Sequence, residues 1–115
     1  MKSPKVELFG KPSLHNTASP TIITYAEYED EKSGVIASYP GKKGDLIMIY
    51  FIADIGYPSS ETRTLTTDRF EFLRLIGTAN DWDIVGKKIH AFFTVIRDSK
   101  LLGFSEMFNF EILDK

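Results

Sequence analysis

Residues 46–53, Leu-Ile-Met-Ile-Tyr-Phe-Ile-Ala, form the longest near-apolar run in the chain and carry no charge. Apolar side chains on both parities mark a strand covered on both faces. A helix is the competing reading. The β-branched Ile47, Ile49 and Ile52, with Gly44 and Gly56 on either side, select the strand. The run is far shorter than the ~20 residues that span a bilayer. The start, Met-Lys-Ser-Pro-Lys, has no apolar stretch behind it, so neither a signal peptide nor a membrane segment is expected and a cytoplasmic protein is.

The remaining strands are read outward from this one. Thr21–Glu29 is β-branched and aromatic and reads as the first strand, broken at Asp30–Gly34 and continued at Val35–Tyr39. Pro40–Gly44 is a turn by composition. Asp45–Asp54 is the second strand and the Thr-rich 62–67 the third, with a loop at Tyr57–Ser60. The period then changes. Asp68 followed three residues later by Glu71 resembles a capping box, and Phe70, Leu73 and Gly77, with Phe72, Leu75 and Ile76, space as a helix ending at Gly77. Lys87–Arg97 is the fourth strand, Asp98–Lys100 a turn, and Phe104–Leu113 the fifth strand, with Phe104, Phe108, Phe110 and Ile112 on its core parity. Residues 1–20, with three prolines and Gly10, read as an irregular arm in which Val6, Leu8 and Phe9 add a short edge strand.

This order predicts a mainly β domain over 21–115: a five-stranded Greek-key barrel of the OB-fold type, with one short helix between strands three and four. A split ferredoxin-like fold would need a second helix. A β-sandwich would usually need about seven strands. At 115 residues, 43% hydrophobic and 26% charged, the chain suits one domain with its own core. No cysteine is present, which excludes disulfides, thiolate metal sites and cysteine nucleophiles.

The segment Ile84-Val85-Gly86-Lys87-Lys88-Ile89-His90-Ala91, followed by a hairpin to Phe108-Asn109-Phe110-Glu111-Ile112, resembles the closing hairpin of small OB-fold proteins from phages and mobile elements. Some of these are single-stranded DNA-binding proteins, including those of lactococcal phages. The resemblance is one of layout and covers roughly residues 45–112. It implies a sequence-tolerant single-stranded DNA-binding protein acting in replication or recombination, as a homo-oligomer, with replication or recombination proteins as further partners.

Independently of that likeness, the residues argue against catalysis. The two histidines, His15 and His90, lie far apart in the chain, and no nucleophile-elbow, zinc-protease or phosphate-loop pattern is present. Asp81 and Asp83 flank Trp82 but lack the spacing of a calcium loop and read as a solvated turn. No metal or cofactor is expected. Single-stranded nucleic acid requires flat aromatic platforms beside cations. The candidates are Tyr39, Lys42 and Lys43 between strands one and two, Tyr50 on strand two, Tyr57 after it, Arg63 on strand three, and Lys88, His90 and Phe92 on strand four. On strand four, Ile89, Ala91, Phe93 and Val95 are uniformly apolar and make the better core set, which leaves Phe92 outside with Lys88 and His90. Tyr50 and Phe51 lie on opposite parities, and the sequence leaves open which faces out. The bland alternatives are core packing for the aromatics and solvated turn ends for Lys42-Lys43 and Lys87-Lys88. Trp82 is expected to plug the open end of the barrel, and Arg69 and Arg74 to decorate the helix. The net charge of −2 and the stretch Glu27–Glu31 supply the rival reading, a protein-interaction or inhibitor module whose acidic surface meets a basic partner.

Overall fold

The structure, a computed structural model, describes residues 5–54 and 58–115. The chain is mainly β, in the order β1 (Glu7–Phe9), β2 (Ser13–His15), β3 (Ile22–Ile23), α1 (Tyr25–Asp30), β4 (Gly34–Gly41), β5 (Leu46–Ala53), β6 (Ser59–Thr64), β7 (Arg69–Leu75), a 3-10 turn (Trp82–Ile84), β8 (Lys88–Arg97), β9 (Lys100–Ser105) and β10 (Phe108–Ile112). The expected strand at 45–54 is β5, and the expected fourth strand is β8.

The architecture is governed by one bent ribbon. β5 pairs antiparallel with β6 from Leu46↔Thr64 to Phe51↔Ser59, and β4 pairs antiparallel with β7 from Gly34↔Leu75 to Gly41↔Arg69. The ladder runs on through the corner between them, where the Gly44 N–H donates to Leu65 O and the Leu65 N–H to Asp45 O, both at 2.9 Å. The β4–β5 arm and the β6–β7 arm are therefore two long bent strands shared by two sheets. One end, with β2, makes a three-stranded sheet. The other end joins a seven-stranded sheet through β5, which pairs with β8 along its length from Leu46↔Ile96 to Ala53↔Ile89. The opposite edge of β8 takes β10 along its first half and β9 along its second, and β1 and β3 add in parallel to β9 and β10. The result is a curled half-barrel sheet.

The core lies inside this curl. Val35, Ala37 and Tyr39 of β4, Ile47, Ile49 and Phe51 of β5, and Ile89, Ala91, Phe93 and Val95 of β8 are all buried. The inward set on β8 is the one that its parity predicts. Burying a side chain the size of Phe93 contributes about 1.5–3 kcal/mol.

Several expectations are corrected. Residues 68–77 are not a helix: Arg69–Leu75 is β7. The 3.6-residue spacing is overridden because β7 continues the β6 arm and finds partners on β4 for all its residues but Phe70. Phe72 is buried at 2% exposure, while Phe70, at the register shift opposite Ser38–Gly41, is 73% exposed. Asp68 caps nothing; its carboxylate accepts the Lys43 N–H at 2.8 Å. The helix lies instead inside the expected first strand. There Thr24 and Glu27 form a reciprocal capping box, Thr24 Oγ1 accepting the Glu27 N–H at 3.2 Å and Glu27 Oε1 accepting the Thr24 N–H at 2.8 Å. Arg74 decorates no helix; it pairs with Asp81 at 2.8 Å and stacks over Phe51 at 4.7 Å.

The expected fifth strand is broken in two at Glu106–Met107. The Ser105 hydroxyl accepts the Phe93 N–H at 2.9 Å, and the Glu106 N–H is drawn to Phe9 O at 3.0 Å. This break inverts the parity, so Phe104 turns outward while Phe108, Phe110 and Ile112 stay inside. The arm is also more ordered than its composition implies, supplying β1 to one sheet and β2 to the other.

Candidate functional site

The side of the seven-stranded sheet that faces away from the core carries the even-numbered residues of β5 and β8. Cross-strand register places Tyr50 opposite Phe92, Ile52 opposite His90, and His90 opposite Asn109. Tyr50 and Phe92 stack with ring centroids 4.7 Å apart and planes 15° from parallel. Both are half-buried. The Tyr50 hydroxyl lies 3.5 Å from Met48 Sδ. One step along, Met48, Thr94, Phe104 and Leu8 line up across β5, β8, β9 and β1.

At the β8 start, the face dips into a groove of about 320 Å³ bounded by Ile22, Asp54, Lys88, His90, Asn109 and Glu111. His90 is held from both ring nitrogens, Nδ1 at 2.6 Å from Asn109 Oδ1 and Nε2 at 3.2 Å from Asp54 Oδ1. Both partners are acceptors, so both nitrogens donate in the cationic form. The Asn109 hydrogen bond, and then that to Asp54, raise the His90 pKa above its ordinary value. Lys88, exposed beside it, adds a second cation.

Four of the candidates, Tyr50, Lys88, His90 and Phe92, thus meet on one face. Others do not. Tyr39 is corrected: it is buried at 5% exposure, and its hydroxyl donates to Asp45 Oδ2 at 3.0 Å. Its placement before an exposed turn gave no hint of this, because the partner that fixes Asp45 is Arg97, distant in sequence. Arg63 is also corrected. Its register partner is Ile47, an inward residue, so Arg63 points to the opposite side of the sheet, where it covers Phe72 at 4.4 Å and pairs with Glu61 at 3.0 Å. Lys42 and Lys43 are exposed at the ribbon corner. Tyr57 lies outside the described residues. Trp82 does not plug the curl; it is 73% exposed. Asp81 holds Arg74 and the Gly77 N–H. Of the acidic stretch, Glu27 is engaged in the capping box and Glu31 accepts from Thr78, at 2.9 Å from the amide and 2.7 Å from the hydroxyl.

Sequence reasoning missed Phe104 and Asn109. Asn109 was legible on the outward parity of its strand, whereas the outward turn of Phe104 follows from the break at Glu106–Met107. No helix among the described residues is long and apolar enough to cross a membrane. No family model, curated protein or solved structure matches the chain.

Proposed function

We propose that the outward sheet face binds single-stranded DNA in a sequence-tolerant way. The observation that carries this reading is the stacked, half-buried Tyr50–Phe92 pair on the outward face, with Lys88 and a cation-favoured His90 in the adjoining groove. Every base has a π-face, so an aromatic platform accepts bases without selecting among them, and the cations meet the phosphates. The curled sheet would work as an OB-type barrel does, one face carrying the strand, and the role would lie in covering exposed strands during replication or recombination.

The test is fluorescence anisotropy with labelled oligo-dT. Phe92→Ala and Tyr50→Ala should each weaken binding roughly 5- to 150-fold, the equivalent of ~1–3 kcal/mol per stacked base. Lys88→Gln should flatten the slope of log affinity against log salt by about 0.7. Affinity should also fall as pH rises through the raised His90 pKa, and His90→Ala should remove that dependence. Absence of binding at low salt would end the proposal.

A second reading is favoured by one specific observation. Away from Lys88 and His90 the face carries Leu46, Met48, Ile96, Phe104 and Leu8 in adjoining rows, with Thr94, Thr62 and Thr64 among them. Such a surface suits a protein partner, a second copy of this chain among them.

A further inference from the structure

A second group of aromatic side chains lies around the 3-10 turn. Trp82 is the only tryptophan, and it stands 73% exposed on that turn. The exposure is not that of a loose loop. Asp81 on one side is buried and holds Arg74 at 2.8 Å and the Gly77 N–H at 3.0 Å. Ile84 on the other side is anchored in the core at 3% exposure. The indole is therefore presented to solvent from a pinned backbone, which reduces the ordering cost of binding.

Two tyrosines of α1 share a groove with it, Tyr25 half-buried and Tyr28 buried. Tyr25 and Tyr28 have ring centroids 5.7 Å apart, tilted by 51°. With Val85 and the Asp114 carboxylate they and Trp82 line a groove of about 290 Å³. That is space for a single side chain or a small ion. The charged residue in the groove's lining is acidic. Aromatic faces are negative, Asp114 is in the wall and Asp83 is exposed beside Trp82. The Tyr28 phenol senses this field: burial raises its pKa most, and Asp81, Glu31 and Asp83 push it further the same way.

We propose that this groove is a binding site for an organic cation, an alkylammonium or guanidinium group. Aromatic rings attract such a cation through their quadrupoles, and the carboxylate adds a direct charge pair. The cation could arrive as a free quaternary amine or as the tip of a lysine or arginine on a partner protein. The site is separate from the sheet face, so its fate does not depend on the nucleic-acid reading.

Trp82 is itself the reporter. Its fluorescence should respond saturably to choline chloride and not to 3,3-dimethyl-1-butanol, the neutral isostere, with sodium chloride as the ionic control. A peptide carrying trimethyllysine, compared with choline, separates a protein-borne ligand from a free amine. Binding tighter for the peptide by 10-fold or more assigns the protein source, and comparable binding assigns the free amine. By calorimetry, Trp82→Ala should abolish the binding heat and Asp114→Asn should weaken binding several-fold, with the circular dichroism spectrum unchanged. An equal response to the neutral alcohol, a response no different from that to sodium chloride, or a preference for a neutral sugar such as cellobiose would overturn the proposal.

Discussion

Asp45 is 1% exposed and holds the ribbon corner together. Arg97 Nε and Nη2 each donate to it at 2.8 Å, the Tyr39 hydroxyl at 3.0 Å and the Lys42 N–H at 2.9 Å. The Arg97 hydrogen bond, opposed by desolvation, brings its pKa down to about 2 from an ordinary 3.8. The folded value lies below the unfolded one, so the carboxylate's contribution is whole above the ordinary value and is lost as pH falls toward about 2. Urea denaturation should accordingly show stability dropping across that window. Asp45→Asn should flatten the drop and cost about 3 kcal/mol at neutral pH, because it strands Arg97 and weakens its bond to Tyr39. An unchanged acid profile in the variant would remove the corner's role. Asp45 itself is visible in the sequence as the charge before the apolar run. Its meaning is not, because its main partner, Arg97, lies on another strand.

Among the elements, the ribbon corner depends on two glycines. Gly44 has φ of +94°, where any other residue is strained, and a Cβ on Gly41 would meet Arg69 O at 2.6 Å and Leu65 Cδ1 at 2.7 Å. Gly44→Ala should cost roughly 1–2 kcal/mol in left-handed strain. Gly41→Ala should cost more, because backbone must move. Urea midpoints of both variants check this, and a neutral pair would mean the corner is not held as described. The same corner explains the helix misreading. Residues 68–77 carry helical spacing, yet β7 inherits its partner, β4, from the hairpin begun at β5 and β6. Local pattern loses to a ladder already in register. The capping-box pattern occurs at both Thr24–Glu27 and Asp68–Glu71. It is realised only at the first, where Tyr28 packs into the core and gives the short helix a tertiary anchor.

For the whole molecule, the outward face sets the expected assembly. Five strands about 4.8 Å apart and eight residues at about 3.4 Å each give roughly 650 Å². Two copies would bury about 1,300 Å², at the lower end of specific interfaces. On the second-copy reading of this face, sedimentation should show a weak, concentration-dependent dimer, and Phe104→Lys, at a residue 43% exposed, should return it to monomer. A monomer at every concentration would remove the second-copy reading of the face. The chain by itself determined its β character, the two central strands and the parity that buries Phe93 and turns Phe92 to the outer face, because side-chain alternation is a local property of a strand. It left open whether Tyr50 or Phe51 faced out, since both parities of β5 are apolar. Only the tertiary structure decided that, along with the fates of Tyr39, Arg63, Arg74 and Phe104. Each of these is set by a partner distant in sequence or by a break that inverts parity, and alternation along one segment contains neither.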